Sequence, residues 1–549
     1  MDEEYERRLR HRLGLLKEHL AAGQLYLPHD DELEASLLAI RAGADGKVDL
    51  STVDGRVRAL ALAIEASEHV NALKSSISLR EIQDVYFQFV ERNFGPLYRG
   101  MLKEKATPAE MAAAISRDPE AVVRFVKGIP GFMSDIVELW SSTYEIAHFH
   151  ATDLQGLKTV FGGEIFPEGT KNVASSCGVY VDTIVLPEPF IRSRMFIESG
   201  PDDQRVYWLI KHALSVLQYK DLALTDLETP IAVIIPDTIW FDERDLDYVQ
   251  VQAERDLNSH LQLLFGRSFH DADEVTSFLK RFHAPDDVIA ALKDKSRLLF
   301  EVGAPEPLAI QLRDYINEWT RDRGIKHAGQ AVLTAIHGRM MQANDLLVRS
   351  QRIGGPPLIE APTSWRYLNW KLEYTAREFS PDESLNLHLI RGLQSAAAAE
   401  MAWLGNVPVK TLIEMRQTGA LAELRGVLSK GVAEMVEARP DNFFRTGDKI
   451  VDNIQSAFDE HKNKLTQLTG KKWRFAGVEL ASCVVHGAIE IASACGVPLV
   501  SLVNSAMDQV IDVPKFRDIP GKFKSLKDEG RALARSPVGL LFQESNRKK

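Results

Sequence analysis

Two short apolar runs, GVYVDTIVLPEP (178–189) and PIAVIIPD (230–237), constrain this chain more than any other feature. Both are rich in β-branched residues and both are stopped by proline, which is the pattern of a buried strand. Between them DDQRVYWLIKHALSVLQYKDL (202–222) carries the spacing of an amphipathic helix, and DERDLDYVQVQAERDLNSHLQLLFG (242–266) follows as a second. Strand and helix in alternation, with connections of this length, predict parallel strands joined by helical crossovers. A third strand is expected at RLLFEVG, 297–303.

An α/β domain is therefore expected over 166–355, with helical regions on either side of it. Residues 1–165 open with Tyr5, Leu9, Leu13, Leu16 and Leu20, whose three- and four-residue steps place them on one helix face. RIGGPPLIEAPTS (352–364) cannot continue a helix, so a boundary is set there. From 356 to 549 the Ala- and Leu-rich segments predict a helical C-terminal domain with a basic tail. The fold class expected is mixed α/β and predominantly helical, with a small, partly parallel central sheet between N- and C-terminal helical regions. A chain of 549 residues exceeds one hydrophobic core, and 45% hydrophobic with 26% charged residues is globular composition.

Three cysteines, none in a CxxC pair, and an opening MDEEYERRLRHRL without an apolar run lead to the expectation of a reducing, cytoplasmic setting. The net charge is −11, yet residues 515–549 hold ten Lys/Arg against four Asp/Glu, a local +6 that leaves −17 for the preceding 514. Lys522, Lys524, Lys527 and Arg531 are the candidates there for contact with an anionic partner, nucleic acid included. The acidic body argues against a protein coated by nucleic acid over its whole surface.

VELASCVVHGAIEIASACGVPLVSLV (478–503) is the most apolar stretch, but it includes Glu479, His486 and Glu490. Helical spacing over 478–494 puts these three on one narrow stripe, which either faces solvent or lines a polar cavity. Carboxylate and imidazole together suit metal ligation or acid/base work. Two glutamates, and the break at Cys495-Gly-Val-Pro498, rule against a membrane span.

Other chemistry is sparse. Asp182 stands inside an apolar strand and Asp237 directly follows one, so Asp237, together with Asp182 or Glu188, is positioned to hold a magnesium ion or act as a base. VDTIVL resembles the aspartate-bearing first strand of PIN-type nucleases, which implies a metal-dependent acidic site. Arg255 and His260 fall at the Arg-then-His spacing of HEPN-type ribonucleases, although chance alone supplies about as many such pairs as the chain contains. His148, His150 and Asp153 in AHFHATD are further possible metal ligands, and FGGE (161–164) lacks the spacing of a nucleotide-phosphate loop. No motif identifies a cofactor. Two functional expectations follow. One is a protein that acts through a protein partner, or a second copy of itself, within a larger assembly. The other is a metal-dependent hydrolase, a nuclease or nucleotide hydrolase, using a divalent metal and the carboxylates of the α/β unit.

Overall fold

The computed structural model describes residues 3–377, with short breaks at 24, 26–30, 44–45, 168–171, 324–326 and 356, and then 400–424 and 463–488, with breaks at 469 and 472. Strands β1 (Lys158–Phe161), β2 (Thr183–Pro187), β3 (Ala232–Ile235) and β4 (Pro357–Leu358) form one all-parallel sheet in the order β3-β2-β1-β4. Val160 pairs with Val185 on one side and Pro357 on the other, and Val185 pairs with Val233. The two apolar runs are thus adjacent parallel strands, buried along their whole length. The fold is mixed α/β and predominantly helical, as the sequence implies.

The third strand is a correction. Lys295–Arg297 form a short 3-10 turn, and Leu298 beyond it packs into a helical core instead of a sheet. The remaining strands are KTVF and the dipeptide Pro357-Leu358. Proline has no amide to donate, so β4 is tolerated because it lies at the sheet's edge.

The described residues fall into two compact units. One takes in residues up to Leu79 together with Glu145–His150. Its helices α1 (Glu3–Ala21) and α2 (Gly55–Ser76) bury Leu9, Leu13 and Leu16 against Val57, Ala61 and Ile64. Tyr5 and Leu20, at the ends of the expected stripe, remain part exposed. Arg12 pairs with Glu65 at 2.7 Å and His19 with Glu68 at 2.8 Å, tying the same two helices together.

The other unit holds the sheet and the longer helices: α3 (Leu79–Glu104) from Arg80 onward, α4 (Pro119–Asp153) apart from Glu145–His150, α5 (Asp202–Leu217), α6 (Glu243–Phe265), α7 (Ala328–Ile353), α8 (Pro362–Arg377) and α9 (Val409–Gln417). Helix α6 ends where its sequence says it must, at Gly266, whose φ of 65° is left-handed and whose amide donates to the Gln262 carbonyl. Leu261 and Leu264 of α6, Val332, Ile336 and Met340 of α7, and Tyr367 and Trp370 of α8 form one apolar core. Among the described residues no helix is long and apolar enough to cross a membrane.

Residues 478–488 differ from the helix expected there. They form β7 (Val478–Glu479), a 3-10 turn (Leu480–Cys483) and β8 (Val484–Ala488). β7 pairs with β6 (Arg474–Phe475), and β8 runs antiparallel to β5 (Glu400–Leu404), with His486 in register with Ala402. The reason lies in VVHGA: its paired β-branched residues suit a pleated strand once EMAWL is available as partner, and its glycine weakens the helical alternative. EMAWL itself was expected to be helical, and it is β5.

One edge of the sheet is closed by a side chain. Gln83 of α3 donates from Nε2 to the Ile234 carbonyl at 2.7 Å and accepts from the Ile234 amide at 2.9 Å. The amide group thereby stands in for a fifth strand. Gln83→Leu keeps the bulk and removes both bonds, leaving two buried backbone groups unserved. Urea unfolding of this variant should show a loss of about 2–4 kcal/mol. A loss under about 0.5 kcal/mol, the range of ordinary surface changes, would mean that another partner serves the strand.

Candidate functional site

β2 and β3 end alike, in Leu186-Pro187-Glu188 and Ile235-Pro236-Asp237. Parallel register sets Pro187 beside Ile235, and the Glu188 amide donates to the Ile235 carbonyl at 3.0 Å, so both acids emerge at the carboxyl edge of the sheet. Ligands of parallel α/β sheets gather at this edge.

Glu188 caps the short helix Pro189–Arg192. It accepts from the Ile191 amide and from the Tyr86 hydroxyl, each at 2.7 Å. That helix carries Arg192 back over the edge. Its Nε donates to Asp237 Oδ2 at 2.6 Å, its Nη1 to the Glu164 carbonyl after β1, and its Nη2 lies 3.6 Å from Asp345 Oδ2.

Helix α7 supplies the opposing charges. Asp345, Arg349 and Arg352 recur at steps of four and three, hence on one face. Arg349 Nε lies 2.9 Å from Asp237 Oδ1, and Nη1 donates to the carbonyl of Phe161, the last residue of β1, at 3.1 Å. Arg352 forks onto Asp245 of α6 and also donates to Thr238 Oγ1. Asp237 is thus held between two guanidinium groups, and the ends of β1, β2 and β3 are joined through them.

The cluster is dry. Arg349 is 0% exposed, Asp237 2% and Asp345 5%. Removing such charges from water costs several kcal/mol per ion, so a buried ion pair is weak evidence of net stability. Moreover, Arg349 Nη2 and Asp345 Oδ1 are buried with no hydrogen-bond partner among the described residues. Burial, reinforced by the negative charge of Asp237, pushes the Asp345 carboxyl up to about 7. Burial likewise raises Glu188 to about 7, against the pull of its bonds from Ile191 and Tyr86. Perturbed carboxyls with a specific charge partner gather at functional sites, though structural ion-pair networks produce them as well, so this edge is a candidate site.

Of the residues singled out in the sequence, Asp237 stands in this cluster and Glu188 emerges beside it at the same edge. Asp182 is at the opposite, amino edge, one residue ahead of β2 and not inside a strand as expected. It accepts from the Leu157 amide at 2.7 Å and pairs with Arg416 of α9. Gly156, at φ +86°, lies so close that a Cβ would collide with the Asp182 carboxylate.

Arg255 and His260 share α6 but are not brought together, since five residues turn a helix by about 140°. Arg255 is exposed and His260 buried. His260 Nδ1 meets the Tyr374 hydroxyl at 2.7 Å and Nε2 the Arg297 carbonyl at 2.8 Å. A carbonyl only accepts, so Nε2 carries the proton and Nδ1 accepts from Tyr374. Burial lowers this imidazole to about 4.

Glu479 is exposed at the end of β7, and His486 sits in β8, so no helical stripe joins them. Glu490 and the tail residues Lys522, Lys524, Lys527 and Arg531 lie outside the described residues. His150 Nε2 is engaged by the Ile77 carbonyl at 2.8 Å. Among the described residues no three His, Cys, Asp or Glu side chains are grouped to hold a metal ion. The chain matches no protein-family model, no curated protein and no solved structure.

Sequence reasoning missed Arg192, Asp345 and Arg349. The signal that was present is the repeated strand-Pro-acid ending, together with charges recurring on an α7 face that must otherwise be apolar.

Because Asp345 and Glu188 have folded values above those of the unfolded chain, the folded protein retains protons that the unfolded chain has already released. Their contribution is therefore most favourable at low pH and is lost as pH rises through about 7. Between about pH 4 and 7 this contribution should lower the melting temperature of the wild type relative to Asp345→Asn and Glu188→Gln, in each of which one such carboxyl is gone. A pH profile identical in both variants would refute these assignments.

Proposed function

We propose that the chain acts through a small-molecule site at the carboxyl edge of its parallel sheet. The observation that carries this reading is the buried cluster of Arg192, Asp237, Asp345 and Arg349, in which Asp345 Oδ1 and Arg349 Nη2 lack partners among the described residues. Buried ionic groups left short of hydrogen bonds are costly to fold. A site that handles ligands offers a return for that cost, and a carboxyl poised near neutrality suits proton exchange with what binds.

A thermal-shift screen of phosphorylated and carboxylated metabolites tests this. Compounds that stabilise the wild type should lose their effect in Asp345→Asn with the fold intact. Stabilisers unaffected by Asp345→Asn and Arg192→Gln would place the site elsewhere and sink the proposal.

The metal-dependent hydrolase is a narrower form of the same idea. A divalent ion at Asp237 would have to displace Arg192 or Arg349, which now engage its two oxygens. Elemental analysis and Mg²⁺- or Mn²⁺-stimulated turnover, lost in Asp237→Asn, are its marks.

Action through a macromolecular partner is favoured by a different observation. Ile289, Leu298, Leu299, Pro307 and Leu308 line a mostly apolar hollow that Lys295, Ser296 and Gln311 also border. Light scattering on the purified chain, with pull-down from lysate, tests for a second copy or a partner. Nucleic acid remains proposed through Lys522, Lys524, Lys527 and Arg531. Changing the three lysines to Gln should weaken binding and make the log–log salt slope shallower by about 0.9 per lost phosphate contact on duplex DNA. Unchanged affinity and slope would remove the tail from any such role.

A further inference from the structure

Resting on the carboxyl-edge reading, the chemistry of the ligand is narrowed by a second feature of that edge. β1 leads to β2 on one side, whereas β4 is reached from β3 by crossing back to the far side of β1. Right-handed crossovers running in opposite directions place their helices on opposite faces, which opens a crevice between the ends of β1 and β4.

Three elements meet there. The turn Gly162-Gly163-Glu164 follows β1, the first turn of α8 with Ser364 follows β4, and Arg339 reaches over from α7. Gly163, at φ +80°, brings the backbone so near that a Cβ would stand 2.7 Å from Ser364.

A carboxylate of the chain itself occupies this place. Glu164 Oε1 lies 2.8 Å from Ser364 Oγ and 3.4 Å from Arg339 Nη1, which in turn donates to Ser364 Oγ at 2.8 Å. Ser364 Oγ also lies 2.7 Å from the Gly163 carbonyl. One hydroxyl proton cannot serve both acceptors, so Glu164 competes for its own donor. It is also free to leave, because its side chain is 31% exposed and that of Arg339 30%. The positive end of α8 favours any anion in the same spot. Independently, Arg349 is wholly buried on the Phe161 carbonyl, two residues before Gly163, with its Nη2 unpartnered among the described residues.

We infer that this crevice takes the anionic group of a ligand, a carboxylate or a phosphate, in the place of the Glu164 carboxylate, with Arg339 and Ser364 as the recognising groups. Glu164 is then a resident competitor that leaves when the ligand arrives.

The test is calorimetric titration of the full chain with inorganic phosphate and with succinate, each against chloride at equal ionic strength. Both variants, Glu164→Gln and Arg339→Gln, change part-exposed side chains, and their folding is checked by thermal melting. Glu164→Gln should tighten binding by about tenfold and Arg339→Gln should weaken it at least as much, the scale of one charge-assisted hydrogen bond. Preference between the two anions assigns the group. Absence of saturable binding in both wild type and Glu164→Gln would overturn the inference, as would an affinity indifferent to Arg339. Screen compounds that need Asp345 but ignore Arg339 and Glu164 would overturn it too, while leaving the carboxyl-edge reading in place.

Discussion

Asp237 is held by two guanidinium groups that come from opposite directions, Arg192 from the loop after β2 and Arg349 from α7. The edge of the sheet is organised around that one carboxylate. Through it the end of β3 is fastened to the end of β1, and a long helix is fixed in rotation against the strands. If Asp237 loses its charge, two buried cations face each other across the gap it filled. The arrangement is costly to bury and, once formed, tolerates few alternatives. Such a cluster contributes specificity of arrangement more readily than net stability.

The same tension runs through the α6–α8 layer, with the opposite resolution. Asp256 accepts from Asn344 at 2.7 Å and pairs with Lys371 at 3.0 Å, and His260 has a partner on each nitrogen. These buried polar groups are served, and their role is to lock the register of three helices whose apolar faces alone would permit sliding. At the carboxyl edge some groups are left short. What sets the edge apart is that its unserved atoms belong to a buried carboxylate and a buried guanidinium, whereas Asn258 and Asn369 of the helical layer leave only amide oxygens short among the described residues.

How much of this the sequence reveals depends on the range of the interaction. Runs such as TIVLP and AVII announce themselves because burial on both faces demands apolar residues at every position. The stretch 242–266 announces its ends, with Asp242 as cap and Gly266 as stop. KTVF is too short to show a period, and Pro357-Leu358 is a strand only because β1 lies beside it. VVHGA reads as a helix face when taken alone and becomes a strand when EMAWL pairs with it. Asp237 could be suspected from its place after a strand. Arg192, Asp345 and Arg349 could not, since ordinary surface helices carry the same residues. Their convergence comes from separations of up to 157 positions in the chain, between Arg192 and Arg349, and only tertiary folding brings it about.

The Gln83 clamp on Ile234 has a further consequence, which concerns growth. A sheet edge ordinarily offers its open amides and carbonyls to any extended chain that passes. Here one margin is occupied at Ile234 by a glutamine amide, and the other begins with Pro357, which has no hydrogen to give. The sheet is therefore stopped at both sides by its own residues. At this sheet, strand addition is the least available way to meet a partner. A mutation at Gln83 would therefore do more than loosen a strand. It would expose a template for association that the native fold keeps covered.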